Sequence, residues 1–440
     1  MKTIHSLFLT VALLCARATS PLLATDAPPR WNVRVEVLMA AVPEDRGLAL
    51  LPDLRDEAKA GAAVDRLLEM IKTKEATLTD YPLIVLSDRQ KATSQSTLSR
   101  IMPVLPEKPA GAPVEGPLTL ATENNNGGCL LEVEPTTSAD GGFIQLNLSA
   151  GRRVFGAVPA ESFNTNLLQI ERPAATGDRT NTSLTCRNGQ WVLLGSHKAA
   201  DVEKSLEFFV VRATALPLAP GATVPAPATA DTKKWNVHVE TSMIGLREDK
   251  ALALLPDLCD EGKIDAVCQQ LDEMVRKQEA TLTGHPSVNT LSGQAANYEL
   301  TKDVVYPSQF VVSPTRAPIP GSTPATDGSI ASLLYPTKFD RRHVGTSLSV
   351  EPVVLEDGQQ ISLSIMPERS EDLKSDFYEV AQPAAGLNTR VELPRIFTAK
   401  DTCGLVARNG QRLLLGVHKS GQNAGQLEFF IVQATATPAH

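Results

Sequence analysis

LALLPDL occupies Leu48–Leu54 and returns, letter for letter, at Leu252–Leu258. Reading outward from the two copies extends the match in both directions. WNVRVE at Trp31 returns as WNVHVE at Trp235, and EATLT at Glu75 returns as EATLT at Glu279. Further on, LEVEP at Leu131 is matched by LSVEP at Leu348, and GQWVLLGSHK at Gly189 by GQRLLLGVHK at Gly410. The closing LEFFVVRATA at Leu206 returns as LEFFIVQATA at Leu427. Fixed order with widening spacing is the mark of one domain present twice, with insertions in its loops. The expected boundaries are 30–215 and 234–436, joined by an extended Ala/Pro/Thr-rich linker at 216–233.

A chain of 440 residues that is 42% hydrophobic can bury two sizeable cores. Its net charge of −8, with no long basic run, argues against nucleic acid as a partner. Aromatic residues at 5% argue against base-stacking or broad carbohydrate-binding platforms. Residues 1–24 read as an export signal: Lys2 is the positive start, Leu7–Leu14 the apolar stretch, and Ala16-Arg17-Ala18 a cleavage site, with Ala24 as the alternative. Cys15 follows Leu14, where a lipid-anchor signal needs a small residue. No other run reaches the ~18 apolar residues of a membrane helix, although short strands could still join a membrane barrel.

Beyond that signal the cysteines are Cys129, Cys186, Cys259, Cys268 and Cys403, and none recurs at the matched position of the other half. Their spacing fits no zinc pattern, so no metal or cofactor is expected. A single Cys259–Cys268 bridge would be compatible with an oxidising compartment.

Within each half, alternation predicts an opening strand at Asn32–Met39 and Asn236–Ile244, then LALLPDL in a loop. Ala60, Ala63, Val64, Leu67, Met70 and Ile71 then form one helical stripe, repeated by Ile264, Val267, Cys268, Leu271, Met274 and Val275. Thr281–Thr290 and Ala295–Val305 read as a strand pair turning at Ser292-Gly293-Gln294. Pro-rich stretches follow at Ser313–Asp327 and Pro103–Pro117 and read as mobile loops. Val344–Val350 and Ile361–Ile365 alternate about a turn at Asp357-Gly358, and Ile144–Leu148 repeats this after Gly141-Gly142. A last hairpin is expected at Asn188-Gly189 and Asn409-Gly410, and the FFVV and FFIV strands, apolar on both faces, are expected in sheet interiors. The fold class is α+β, mostly antiparallel β with one principal amphipathic helix per repeat.

The second half resembles the carboxy-terminal domain of the secretins, the ring-forming outer-membrane pores of bacterial secretion and pilus systems. The resemblance rests on an ordered series. HPSVNTLSGQA at His285 carries Gly293 and Gln294; VGTSLSVEP carries Val344, Gly345, Leu348, Val350 and Pro352; NGQRLLLG carries Gly410, Gln411 and Gly416. The first half keeps Gly128, Leu131 and Pro135, then Gly189, Gln190 and Gly195, while its LSGQ has become Leu86-Ser87-Asp88-Arg89. These residues read as fold-defining rather than ligand-binding. Three features depart from the family: the signal leads almost directly into the first half, two copies share one chain, and Val417 replaces the second Gly of the ending.

His197 and His418 are the histidines matched between halves, and both read as strand-end surface residues without nearby carboxylates in sequence. No G-x-S-x-G, H-E-x-x-H, P-loop or paired Asp-Thr/Ser-Gly turn occurs, so no enzyme is expected. The resemblance implies an exported, non-enzymatic homo-oligomer joined through β-strands, in the outer membrane or periplasm of a Gram-negative-type cell. Its expected partners are other envelope or secretion-system proteins. The alternative is a soluble periplasmic scaffold of two degenerate secretin-like modules that form no pore.

Overall fold

The computed structural model describes residues 31–104, 118–156, 161–164, 169–218, 235–315, 331–355, 358–382, 387–421 and 425–439. The stretch read as an export signal, most of the expected linker, most of both Pro-rich stretches and Asp357 lie outside the described residues.

The first half runs β1 (Trp31–Pro43), α1 (Glu44–Arg55), α2 (Ala60–Lys72), β2 (Thr77–Asp80), β3 (Leu83–Ser87), β4 (Ala92–Val104), β5 (Leu118–Thr137) and β6 (Phe143–Phe155). It ends with β7 (Glu161–Asn164), β8 (Gln169–Arg172), β9 (Ala175–Arg187), β10 (Trp191–Lys198) and β11 (Ser205–Pro217). The second half runs β12 (Trp235–Arg247), α3 (Glu248–Leu258), α4 (Ile264–Arg276), β13 (Thr281–Gly284), β14 (Ser287–Leu291), β15 (Ala296–Thr315), β16 (Ala331–Val354) and β17 (Gln360–Asp372). It closes with β18 (Asp376–Gln382), β19 (Leu387–Leu393), β20 (Arg395–Arg408), β21 (Arg412–Lys419) and β22 (Gln426–Pro438). The fold is α+β, with a helix pair ahead of each β region.

LALLPDL is helical, not a loop. Pro52 and Pro256 lie inside α1 and α3, where each removes one backbone hydrogen bond at a typical cost of about 3 kcal/mol. Burial outweighs that cost: Leu252, Leu255 and Leu258 are inside, each contributing ~1.5–3 kcal/mol. Glu44-Asp45 and Glu248-Asp249 add favourable charge to the first turns. The stripe read from sequence forms α2 and α4, with Ala63, Val64 and Leu67, and Val267, Cys268 and Leu271, turned inward.

The strands form three sheets. A ten-stranded sheet has the order β10-β11-β1-β3-β21-β22-β12-β13, with β2 on β1 and β14 on β12. An eight-stranded sheet has the order β15-β16-β17-β20-β4-β5-β6-β9, and β5 also pairs β15 over Leu118–Ala121, so this ladder closes on itself. A four-stranded sheet runs β19-β18-β8-β7. One core lies between the two large sheets, a second between the ten-stranded sheet and the helices. A third joins the small sheet to the ends of the long hairpins through Met102, Leu120, Phe310 and Val380.

The two halves share their registers. β1 on β11 pairs Trp31 with Pro217 through Pro43 with Ser205; β12 on β22 pairs Trp235 with Pro438 through Arg247 with Gln426. The same bulge falls between Leu193 and Gly195 and between Leu414 and Gly416. β11 and β22 have neighbours on both sides, as their two-sided apolar character requires.

Three expected hairpins do not form. β9 and β10 flank Asn188-Gly189 but belong to different large sheets, as do β20 and β21 around Asn409-Gly410. β14 and β15, on either side of Gly293, also separate between the sheets. Each segment is a corner at which the chain changes layers of a sandwich. Such a corner needs the same positive-φ residue as a hairpin turn, so local sequence does not tell them apart.

Candidate functional site

The sequence motifs converge on these corners. The Gly293 N–H donates to the Pro352 carbonyl at 2.7 Å, tying LSGQ to the end of VGTSLSVEP. The Val354 N–H donates to Ser292 Oγ at 2.9 Å. In the first half the Arg89 N–H donates to Pro135 at 2.8 Å, and the Thr137 N–H to Asp88 Oδ1 at 2.6 Å. The strand registers place Ser87-Asp88-Arg89-Gln90, one residue on from the sequence match, at the position of LSGQ. Both bonds therefore survive replacement of Ser-Gly by Asp-Arg, though Arg89 holds φ 60 where Gly293 holds φ 77. A non-glycine residue there costs on the order of 1 kcal/mol.

Gly345 (φ 148) and Gly128 (φ 104) sit where a Cβ would collide with the carbonyls of Leu300 and Ser96 on the neighbouring strand. Val344, Leu348 and Val350, with Leu131 in the first half, are buried. At the second corner Gly410 and Gly189 donate to Ala434 and Ala213, each at 2.8 Å. Gln411 and Gln190 each accept, through Oε1, a backbone N–H from Arg408 and Arg187. Gln294 is exposed and donates its backbone N–H to Leu291. Gly416 leaves room for the Asp401 carboxylate, whereas a Cβ at Gly195 would find only Thr180 Oγ1 at 3.8 Å.

His197 and His418 are not bare surface residues. His418 is 1% exposed and its Nε2 lies 3.0 Å from Asp401 Oδ2, itself buried. His197 Nε2 lies 3.0 Å from Asp178 and 3.2 Å from Glu207. Glu207 comes from the neighbouring strand β11, while Asp178 and Asp401 come from β9 and β20 in the facing eight-stranded sheet, so local reading does not find them.

Each histidine belongs to a duplicated polar cluster. Glu207 accepts from Thr79 Oγ1 at 2.5 Å and lies 3.5 Å from Arg152. Glu428 accepts from Thr283 and lies 3.4 Å from Arg369. Both glutamates are buried on the ten-stranded sheet, and both arginines reach over from the eight-stranded one. The pair is thus a polar bolt through the sandwich; removing one partner would strand a buried charge. Burial works to raise the Glu207 carboxyl, but hydrogen bonds from His197 and Thr79 and the Arg152 charge hold it below its ordinary value. The Glu207 hydrogen bond raises the His197 imidazole. Burial opposes protonation of His418, yet the Asp401 carboxylate prevails and its pKa is raised. Identity of all four side chains between the halves, spread over EATLT, LEFF, HK and the arginines, was the available sequence signal.

The described cysteines are free thiols, Cys259 and Cys268 included. No helix among the described residues is long and apolar enough to cross a membrane, which says nothing of a barrel. The β15–β16 hairpin instead exposes Leu300 (66%), Val305 (64%) and Phe339 (56%).

Residues 274–424 match the secretin family, described as bacterial type II and III secretion system protein, and so carry a secretin domain. No curated protein matches the chain. Among solved structures, the cryo-EM structure of an ETEC pilotin–secretin AspS–GspD complex contains a similar chain, at 10% identity and a TM-score of 0.18. The match covers 93% of this chain and 50% of that one, so this chain spans about half the length of the solved secretin.

Proposed function

We propose that the protein is a non-enzymatic component of an outer-membrane secretion or pilus channel, built from two secretin-like modules and oligomerising through its β-strands. The observation that carries this reading is the Gly293–Pro352 corner bond together with its counterpart Arg89–Pro135. It joins two separated family motifs, and it does so again in the half that lies outside the matched region. The His–carboxylate clusters at His197 and His418 support the sandwich. The exposed apolar residues of the β15–β16 hairpin suit a gate or membrane-facing role. Other secretion-system proteins of the envelope are the proposed partners.

Fractionation of cells producing the protein, followed by detergent extraction and negative-stain imaging, tests this. The expected result is outer-membrane material containing rings. A soluble species without rings would overturn the channel and leave the periplasmic scaffold reading.

A further inference from the structure

The two halves of the chain meet along two ladders, and each ladder leaves its own counterpart unpaired at the ends of the molecule. In the ten-stranded sheet β3 pairs β21, with Ile84 opposite Gly416 and Leu83 opposite Val417. In the eight-stranded sheet β4 pairs β20, from Thr93 opposite Thr402 to Arg100 opposite Arg395. By the duplication, β14 and β15 are the second-half equivalents of β3 and β4, while β10 and β9 are the first-half equivalents of β21 and β20. Among the described residues β10 pairs only β11, β9 only β6 and β14 only β12. β15 is free on its second side until Gln309.

Burial follows this difference. Leu414, Leu415, Val417 and His418 of β21, the strand beside β3, are buried, while Leu193, Leu194, Ser196 and His197 of β10 are partly or fully exposed. Residues 297–303 of β15 are all exposed, whereas the matched stretch of β4 is partly or wholly buried. A groove of about 510 Å³ runs along the open edge of β10, lined by Trp191–Ser196, Leu54 and Thr185.

We propose that a second copy of this chain fills these edges, its β9–β10 edge docking on β14–β15 in the register of the internal junction. This deepens the reading above and rests on its claim that the chain oligomerises through strands. The register makes a specific charge assignment. Gln95 faces Lys400 inside the chain; their equivalents are Glu299 and Arg179, so the free edges place opposite charges face to face. Lys302 then falls diagonally across from Asp178, and Asn297 faces Asn181. Arg179 already bonds Glu132 and Ser149, yet its side chain stays 52% exposed and open to a further carboxylate. The contact is head-to-tail: each docked chain presents the same free edge to the next, giving a ring if the rotation closes and a filament if it does not.

Two chains with different tags, one N297C and the other N181C, are co-expressed and oxidised. Cross-strand partners lie about 4.5–5.5 Å apart at Cα, within disulfide reach. The expected product is a mixed disulfide dimer carrying both tags; N297C with T185C, out of register, gives none. Glu299→Arg should weaken assembly roughly tenfold by replacing attraction with repulsion, and E299R combined with R179E should restore it. Rings that persist without the N297C–N181C crosslink, crosslinks only to another protein, or a monomer throughout would each overturn this interface. The first of these leaves the channel reading intact. Crosslinked head-to-tail chains confined to the soluble fraction would instead uphold the interface and overturn the channel.

Discussion

Single residues decide where the strands can touch. Gly345 combines positive φ with a Cβ position already taken by the Leu300 carbonyl. Gly345→Ala should therefore lower stability by about 2–4 kcal/mol, read from the urea midpoint. Gly195→Ala, which meets only a distant hydroxyl, should stay within about 1 kcal/mol of the parent; equal losses would show that packing at Gly345 does not set its role. The buried His418–Asp401 pair gives a pH signature. Because the folded imidazole is raised above its ordinary 6.5, its contribution is complete below that value and fades as pH climbs through the raised one. The melting-temperature gap between the parent and His418→Gln should thus be widest in mild acid and narrow toward alkaline pH. A gap that widens with pH would mean that the imidazole is held neutral. The importance of Gly345 was legible in VGTSLSVEP, but the Asp401 partner was not, since only β-sheet stacking brings the two strands together.

At the scale of elements, periodicity was a good guide wherever one face is buried. The stripes of α2 and α4 and the alternation of β6, β16 and β17 could be read directly. α1 and α3 could not, because a proline within seven residues is a strong breaker signal locally. Tertiary burial of Leu50 and Leu54, and of Leu252, Leu255 and Leu258, overrides it. Pro256→Ala should accordingly leave the fold intact and raise the unfolding free energy, read by urea titration, by up to about 2 kcal/mol, with slightly more helix by circular dichroism. A net loss would mean that the bend at Pro256 is needed to seat α3 on β12 and β22. The same limit applies to the Asn-Gly corners, where a turn residue announces a change of direction but not which sheet receives the next strand.

Over the whole molecule the halves are fused rather than strung together. All three sheets run through both, by β3–β21, β4–β20 and β8–β18. Asn32 Nδ2 donates to the Val406 carbonyl at 2.6 Å, and Arg100 holds Asp376 with two bonds of 2.8 and 2.9 Å, both across the junction. Proteolytic cleavage within 219–234 should therefore leave both fragments in one peak by size-exclusion chromatography, with a single unfolding transition. Separation of the fragments without denaturant would contradict a continuous sheet.

The recurring sequence stretches, the α+β class and the motifs of the secretin domain follow from residue order, because periodicity and glycine placement are local constraints that a linear chain records. The pairing between halves does not. β3 and β14, or β10 and β21, have related sequences and the same neighbours within their own half, yet one of each pair is covered and the other open. That asymmetry arises because two halves with matching strand registers in one chain can satisfy only one of the two junctions they define. LALLPDL shows the same division on a smaller scale: its repetition is a fact of sequence, while its helical state depends on the sheet against which its leucines are buried.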